Sequence, residues 1–365
     1  MRIAQIAPLM EGVPPKMYGG TERIVHYVTE ELVKLGHDVT LFASGDSVTA
    51  AELVPCVPRA LRLEPKIRDV IPYYMLMLDR VFQRAEDFDI LHFHIDQFHF
   101  PLFRSMSGRT LTTLHGRQDL PDLLPLYLGF SDMPLVSISK AQRLPVPMAN
   151  FVANIPHGLP LDLHQPIFQP RGGYLAFLGR IAPEKRPDRA IQIARALGMP
   201  LKIAAKVDRV DEEYFREQIA PLLKDSPNIE FVGEINERQK SQFLGEASAV
   251  LFPIDWPEPF GLVMIEAMAC GAPVVAFRAG SVPEVMEDGV TGAIVDTVDE
   301  AIAALPGVMA MDRRKIRRRF EQRFSATRMA KDYVDVYENL LSESDTRRKP
   351  LKAMPAVNIR VSPGS

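Results

Sequence analysis

Residues 255–273 read Asp-Trp-Pro-Glu-Pro-Phe-Gly-Leu-Val-Met-Ile-Glu-Ala-Met-Ala-Cys-Gly-Ala-Pro and contain two carboxylates, Glu258 and Glu266, eight positions apart. The apolar run 249–254 precedes them and is typical of a buried parallel strand. From Leu262 the apolar residues recur at helical spacing, and a Gly-x-Pro sequence ends that pattern. We therefore predict a strand–loop–helix unit. Glu258 lies in its loop, and Glu266 lies just over one turn inside the helix, on its polar side.

The start of this predicted helix is a candidate anion site. The backbone N–H groups near Phe260, Gly261 and Leu262 have no helical acceptor, and the positive end of the helix dipole lies beside them. One carboxylate could accept hydrogen bonds from a sugar and the other from a ribose, so the arrangement suits a sugar nucleotide. The alternative is an ordinary strand–loop–helix unit with two solvated glutamates, and the two-Glu spacing alone favours it.

The longer string that begins at Glu258 is more specific. Glu-Pro-Phe-Gly-Leu-(x3)-Glu-Ala-Met-Ala-Cys-Gly-x-Pro-Val-Val resembles the signature of family four retaining glycosyltransferases (glycosyl transferases group 1), which have the GT-B fold. The resemblance covers the chain up to about residue 343 and is strongest from Gly179 onward. It implies an α/β protein with two Rossmann-like, doubly wound domains that face each other across a cleft. It also implies sugar transfer from a nucleotide diphosphate donor, with retention at the anomeric carbon.

Length and composition fit a two-domain globular protein. The chain has 365 residues, of which 47% are hydrophobic and 24% are charged. A net charge of −3 favours neither nucleic acid nor membrane as a partner. Cys56 and Cys270 are the two cysteines, which fits a reducing compartment. The apolar part of the N-terminus is short for a signal peptide, and apolar runs stay below the ~18 residues of a membrane span. We expect a cytoplasmic protein without a cofactor, and peripheral membrane contact stays open.

The N-terminal sequence predicts a βαβ unit with a glycine-rich first turn. Its strands are expected at 2–7 and 38–43, and its helix at 21–35. The G-x-G-x-x-G fingerprint of dinucleotide-binding proteins does not follow the first strand. Gly19 and Gly20 could let a phosphate or sugar approach the backbone, or could serve only a tight turn. The resemblance favours the first reading.

Two patterns raise the possibility of a metal site. Residues 87–89 match the Asp-x-Asp motif of metal-dependent glycosyltransferases, but they lead directly into the predicted strand 90–93 and lack a loop that would present both carboxylates to one ion. His92, His94 and His99 offer nitrogen ligands, and only the first two share a strand face. We predict no metal site, and we expect His92 or His94 to line the interdomain cleft.

Three further residues are candidates for the donor site. The predicted strand 111–114 ends at His115, where ligands bind in α/β sheets; a loop histidine without a role is the alternative. Arg180 and Lys185 follow the predicted strand 174–178 and could clamp a diphosphate, the first bidentately and the second as a point charge. A solvated basic loop is the alternative there. In the family, a Thr-x-His segment approaches the donor sugar, and a Gly-Arg-(x4)-Lys segment is present, so the resemblance favours a functional role for all three.

The resemblance implies further roles. Gly233 follows the predicted strand 229–232 and would let the donor base, by resemblance uracil, approach the backbone. Glu258 would hold hydroxyl groups of the donor sugar, and Glu266 would hold the ribose. The two cations and the helix N-terminus would stabilise the leaving diphosphate, a role that a metal ion plays elsewhere.

The expected organisation has four parts. We predict an N-terminal acceptor domain at 1–158, a linker at 159–171 and a nucleotide-sugar domain at 172–326. By resemblance, a helix at 327–343 returns to pack on the first domain. Residues 346–365 include three prolines and few large apolar residues, which predicts a disordered tail.

The segment 313–323 carries a run of basic residues. A solvated helix face is the favoured interpretation, and attraction to anionic lipid is the alternative. Two other functions stay open for the whole chain: a nucleotide-sugar epimerase of the same fold and a non-catalytic nucleotide-sugar binder. The sequence does not name the acceptor. The first domain would supply the acceptor pocket, and the loops of that domain are the least specific part of the sequence.

Overall fold

Two parallel β-sheets form the framework of the computed structural model, which describes residues 1–17 and 19–346, without the side chains of 344–346. The strands are β1 (Arg2–Ile6), β2 (Asp38–Ser44), β3 (Glu52–Val57), β4 (Ile90–Phe93), β5 (Thr110–Thr113), β6 (Leu135–Ser137), β7 (Phe151–Asn154), β8 (Leu175–Ile181), β9 (Leu201–Val207), β10 (Ile229–Gly233), β11 (Ala249–Phe252), β12 (Val274–Phe277) and β13 (Gly292–Val295).

Helices lie between these strands and after the last one. They are α1 (Gly20–Lys34), α2 (Ile71–Gln83), α3 (Phe100–Phe103), α4 (Leu123–Gly129), α5 (Pro187–Leu197), α6 (Glu212–Tyr214), α7 (Ala220–Lys224), α8 (Glu237–Gly245), α9 (Leu262–Ala269), α10 (Val282–Val285), α11 (Val298–Met309), α12 (Arg313–Arg323) and α13 (Ala326–Thr346). Within the described residues, every helix is too short or too polar to cross a bilayer.

The strand order places two ligand-binding edges in the molecule. The first sheet runs β3-β2-β1-β4-β5-β6-β7 and the second β10-β9-β8-β11-β12-β13. Strand order therefore reverses between β1 and β4 and again between β8 and β11. In doubly wound sheets, ligands bind beyond the carboxyl ends of the strands at these switch points. The predicted pair of doubly wound domains is confirmed.

Apolar residues on both faces of the central strands explain the layered arrangement. Ile3, Leu91, Ile203 and Leu251 are at most 1% exposed. Such continuous apolar strands are typical of parallel sheets covered by helices on both sides. The central strands of each sheet therefore form an internal layer, and a ligand can reach them at their carboxyl ends.

The C-terminal helix α13 lies against the first sheet. It packs on α1, and its Tyr333 and Tyr337 side chains are fully buried. The Tyr333 hydroxyl lies 2.9 Å from Thr113 Oγ1, and the Tyr337 hydroxyl lies 2.7 Å from His92 Nδ1. Of the tail predicted at 346–365, Thr346 ends α13 and the rest lies outside the described residues.

We predicted that the basic residues of 313–323 form a solvated helix face, but two arginines of this helix, α12, are buried. Arg313 and Arg317 are 6% and 8% exposed, and both guanidinium groups bind backbone carbonyls. Arg313 Nη1 donates to the carbonyl of Gly245 at 2.8 Å, and Arg317 Nη1 donates to that of Ala269 at 2.6 Å. These carbonyls end α8 and α9, where helices lack hydrogen-bond donors and carry partial negative charge. Part of the basic run therefore caps two helices inside the second domain, whereas Arg318 remains exposed.

Candidate active site

A cavity of about 500 Å³ lies between the carboxyl ends of the two sheets. The predicted site residues that line it are His115, Arg180, Lys185, Gly20, Glu258, Phe260, Gly261, Leu262 and Glu266. Gly233 is the exception. It ends β10, and the next two residues, Glu234 and Ile235, line the cavity instead. Segments distant in sequence therefore meet at one place.

Glu258 lies in the loop after β11, as predicted. It is 8% exposed, and its Oε2 accepts hydrogen bonds from Lys185 Nζ and, at 3.0 Å, from Trp256 Nε1. The backbone of Gly280 holds this loop from the other side, with φ of +51°. A Cβ there would lie 2.3 Å from the Glu258 carbonyl oxygen, so only glycine fits. The carboxylate is thus fixed in orientation before any ligand binds.

Trp256 was missed by the sequence analysis, although it is the single tryptophan of the chain. Its ring lies 4.6 Å below the Lys185 ammonium while its N–H contacts Glu258. A cation over an indole face is attracted by the ring quadrupole. Trp256 therefore orients both charged residues, and its rarity and place two residues before Glu258 were the available signals.

Arg180 lies at the end of β8 rather than in a loop after the strand. Parallel pairing with β9 continues to Ile181, three residues beyond the predicted strand end. The Arg180 guanidinium contacts Glu184 at 2.5 Å, and Asp208 and Asp211 at 3.6 and 3.5 Å. These carboxylates hold the cation at the cavity wall.

Two helix N-termini face each other across the cavity. Helix α1 begins at Gly20 and α9 begins at Leu262, and a Cβ built on Gly20 would lie 3.5 Å from Leu262 Cδ1. Gly261 precedes α9 with φ of +80°, a conformation that favours glycine. Both helices direct their first N–H groups and positive dipole ends towards the same space, which suits a polyanion.

Glu266 is in a different environment from the predicted polar helix side. It is 3% exposed, and its Oε1 accepts a hydrogen bond from Lys240 Nζ at 2.6 Å. Burial opposes ionisation of Glu266, but Lys240, Arg23 and His164 outweigh it and lower its pKa. The helix α9 is buried nearly all round, so its one carboxylate needs a partner from another helix. Sequence spacing within α9 could not reveal that partner.

His115 follows β5 and lines the cavity. Burial lowers its pKa to about 3, so the imidazole is neutral at physiological pH. Its Nε2 lies 2.9 Å from His94 Nδ1. We expected His92 or His94 to line the interdomain cleft, but neither residue lines the cavity. They are 0% and 3% exposed, because α13 and the neighbouring strands cover them.

His157 is a cavity residue to which no role had been assigned. Its ring stacks on His115 with centroids 5.3 Å apart and meets the edge of Phe260 at 4.9 Å. Burial lowers the pKa of His157 well below its usual range. This aromatic stack joins the segment after β7 to the start of α9.

The first domain contributes a different set of charges to the cavity. Glu11 Oε1 pairs with Arg62 Nη1 at 2.9 Å, and Glu22 is 6% exposed. Burial raises the pKa of Glu22. Charged side chains of both domains therefore line the cavity.

One group of side chains has the spacing of a metal site. Single ligand atoms of His164, Glu237 and Glu266 lie within 4.8 Å of one another. However, Lys240 Nζ lies 3.4 Å from Glu237 and 2.6 Å from Glu266, and Arg23 also pairs with Glu237. Two cations thus already neutralise the carboxylates, and their charge would repel a divalent ion. We interpret the group as an ion-pair cluster.

The Asp-x-Asp motif lies away from the cavity. Asp89 precedes β4 and accepts a hydrogen bond from Arg2 Nη2 at 2.8 Å, while Asp87 pairs with Arg84 at 3.1 Å. Both residues are therefore at the amino ends of the strands. Their placement supports the interpretation that the motif is structural.

Comparison with known families is consistent with this geometry. The family described as "Glycosyl transferases group 1" matches residues 164–323, and "Glycosyltransferase Family 4" matches residues 18–143. The chain belongs to the group 1 glycosyltransferases. Together the two matches leave out residues 1–17, 144–163 and 324–365.

Individual relatives cover the chain to different extents. The phosphatidyl-myo-inositol mannosyltransferase of Mycolicibacterium smegmatis is 26% identical over 352 residues, which is 86% of each chain. A D-inositol 3-phosphate glycosyltransferase of Mycobacterium sp. (strain KMS) is 32% identical over 152 residues, or 38% of this chain and 34% of the relative. The second match therefore spans only about a third of that relative's length.

Solved structures show the same fold. Anabaena Alr3699/HepE in complex with UDP-glucose superposes with a TM-score of 0.70 at 16% identity, over 93% of this chain and 100% of the other. This chain therefore has the predicted GT-B fold.

Proposed function

We propose that the protein transfers a sugar from a UDP-sugar donor to an acceptor hydroxyl, with retention at the anomeric carbon and without a metal ion. The observation that supports this most directly is the meeting of Glu258, Lys185 and Arg180 with two helix N-termini in one cavity. The HepE structure with UDP-glucose supports the choice of donor, because it shares the fold.

The diphosphate would lie between α1 and α9. Negative charge develops on it as the bond to the sugar breaks, and fixed positive groups stabilise such charge without reorganisation. Lys185 and Arg180 would supply full charges. The N–H groups near Gly20 and Leu262 would supply aligned dipoles.

The two glutamates would hold different parts of the donor. Glu258 would accept hydrogen bonds from sugar hydroxyls, because it is oriented by Trp256 and lies beside the proposed diphosphate position. Glu266 would accept hydrogen bonds from the ribose. Its pairing with Lys240 keeps it anionic, and an anionic acceptor binds hydroxyl groups more strongly than a neutral one.

The proposed reaction needs no protein nucleophile. The bond from the anomeric carbon to the diphosphate oxygen breaks, and the acceptor oxygen forms its bond on the same face of the sugar. The acceptor proton passes to the departing diphosphate. His115 is neutral and would contact the sugar rather than transfer this proton.

A donor panel scored by UDP release tests the proposal. UDP-glucose and UDP-galactose, with and without candidate acceptors, would be compared for the native protein and Lys185→Ala. The acceptors would include inositol phosphates and phosphatidylinositol, which the names of two relatives suggest. Acceptor-dependent UDP release with an α-linked product from an α-linked donor supports the proposal. Free altered UDP-sugar without acceptor would show an epimerase, and binding without any turnover would show a non-catalytic binder.

A further inference from the structure

A line of buried hydrogen bonds leads from the first strand to the cavity. Gln5 of β1 is fully buried, and its Oε1 lies 2.8 Å from His94 Nε2. His94 Nδ1 in turn lies 2.9 Å from His115 Nε2. His115 therefore reaches Gln5 through one intermediate imidazole.

The direction of these bonds follows from the amide of Gln5. Its Nε2 donates to the hydroxyl of Tyr337 at 3.2 Å, which leaves Oε1 as the atom that faces His94. An amide oxygen can only accept, so the facing nitrogen of His94 must carry the proton. Burial lowers the pKa of His94 well below its usual range, so the ring is neutral and carries a single proton.

The same reasoning extends to the second imidazole. With its proton on Nε2, His94 has an unprotonated Nδ1 that can only accept a hydrogen bond. The nitrogen that faces it, His115 Nε2, must therefore be the donor. Because His115 is also neutral, its Nδ1 has no proton.

We propose that Gln5 and His94 are positioning residues that hold His115 in its Nε2–H tautomer, so that its Nδ1 is a hydrogen-bond acceptor for the bound sugar. Within the described chain, Nδ1 of His115 is buried and has no hydrogen-bond partner, while its ring lines the cavity. A buried acceptor without a partner is costly, and a ligand hydroxyl would satisfy it.

The tautomer has a consequence for the class of sugar, which rests on the proposed function. A hydroxyl group can donate to His115 Nδ1, whereas an ionised carboxylate has no proton to give and would oppose the lone pair. The site therefore selects a neutral sugar with a hydroxyl group at this contact over a uronic acid. With the protons reversed, His115 would donate instead, and a carboxylate would be preferred.

Histidine tautomers are measured directly by ¹⁵N NMR on perdeuterated protein labelled at histidine, without any substrate. The His115 signal is assigned by its loss in His115→Gln. We expect the Nε2–H pattern in the native protein and a mixture of tautomers in Gln5→Leu. Thr112→Val is the matched control: it removes the 2.9 Å contact to His99 Nε2, which lies outside the cavity, and leaves the contacts of His94 in place. An Nδ1–H pattern in the native protein, or an unchanged tautomer in Gln5→Leu, would overturn the proposal.

Kinetics separate positioning from general damage. Gln5→Leu should lower kcat/KM for a UDP-hexose about tenfold. The ratio of kcat/KM for the UDP-hexose to that for UDP-glucuronic acid should also fall. The affinity for UDP should stay unchanged, because UDP lacks the hexose that would contact His115. Thr112→Val should change none of these. Equal loss of UDP affinity in both variants would indicate structural damage and contradict the positioning role. If no UDP-sugar is turned over while the native tautomer is as expected, the proposed function fails and the tautomer assignment stands.

Discussion

Lys185 and Glu258 form an ion pair inside the cavity, and the Lys185 ammonium also lies 4.6 Å from the centre of the Trp256 ring. The two residues are proposed to bind different parts of the donor, the diphosphate and the sugar. The contact between Lys185 and Glu258 therefore links the proposed diphosphate position to the proposed sugar position. Substitutions at the two positions should therefore be coupled, because each residue holds the other in place.

The cationic clamp is tested by Lys185→Ala and Arg180→Ala. Each change should remove a charge-assisted hydrogen bond to the diphosphate worth ~1.5–3 kcal/mol, or about 10- to 100-fold in donor affinity or rate. Steady-state kinetics and UDP calorimetry would measure the loss. Lys224→Ala, on an exposed residue of α7, is the control. Native kinetics in both clamp variants would remove these residues from the site.

The two glutamates should respond differently to UDP. Glu258→Gln should leave UDP affinity nearly intact and lower turnover, because its proposed contacts need a sugar and strengthen in the transition state. Glu266→Gln should weaken both UDP and the UDP-sugar, because a neutral amide is the weaker acceptor. Calorimetry with UDP beside steady-state rates would measure both effects.

Glu266→Gln needs a matched control, because the Glu266 carboxylate also neutralises the positive charge of Lys240. Glu237→Gln disturbs the same ion-pair cluster, where Lys240 Nζ lies 3.4 Å away, but Glu237 does not line the cavity. Glu237→Gln should therefore keep UDP affinity. The opposite pattern, with UDP binding lost in Glu258→Gln and kept in Glu266→Gln, would reverse the two roles.

Turnover should persist in excess chelator after the protein has been stripped of metal. The reason is that Lys185, Arg180 and two helix N-termini supply positive charge where the diphosphate leaves. UDP release would be followed with chelator alone and after addition of magnesium or manganese. Complete loss with chelator and recovery with either ion would contradict the proposed electrostatics.

The buried arginines of α12 should contribute to stability and the exposed ones should not. Arg317→Ala would leave the carbonyls of Ala269, His164 and Leu161 without their donor, at a cost of about 3 kcal/mol in the free energy of unfolding. Arg318→Ala, whose side chain is 61% exposed, should cost less than about 0.5 kcal/mol. Urea unfolding would measure both. Equal stability of the two variants would restore the interpretation of α12 as a solvated basic face.

Stability should fall as the pH is lowered from about 7 to 5. Burial lowers the pKa values of His92, His94, His99 and His157 well below the usual range, and that of His115 to about 3. An unfolded histidine takes up a proton near pH 6.5, whereas these folded ones do not. The unfolded state therefore binds more protons below that pH, and each such histidine lowers the free energy of unfolding by about 1.4 kcal/mol per pH unit.

Urea unfolding at pH 7, 6 and 5 would measure this slope. His99→Gln offers a control outside the cavity, since His99 stacks on Phe93 and contacts Thr112. In that variant, the free energy of unfolding should change less steeply with pH, by the contribution of one histidine. A free energy of unfolding that stays constant between pH 7 and 5 would show that these histidines are not held neutral.

Much of the fold was readable from local sequence. Strand β4 has the predicted bounds, and the strand–loop–helix unit around Glu258 forms where expected. Apolar spacing determines these elements, because residues close in the chain decide whether a segment can bury one face as a helix or both faces as a strand. The glycosyltransferase family was likewise recognisable from the string that follows Glu258.

Tertiary structure alone decided the partners of the charged and polar groups. Gln5, His94, His115 and Tyr337 form one hydrogen-bonded line although they come from β1, the ends of β4 and β5, and α13. Arg317 looked like a solvated cation in a basic run, and packing turned it into a cap for α9. The free energy of a buried polar group depends on which partners the fold brings within hydrogen-bond distance, and those partners are remote in the chain. Local spacing therefore predicted most of the residues that gather at the cavity, while the packing of distant elements determined their hydrogen-bond partners and orientation.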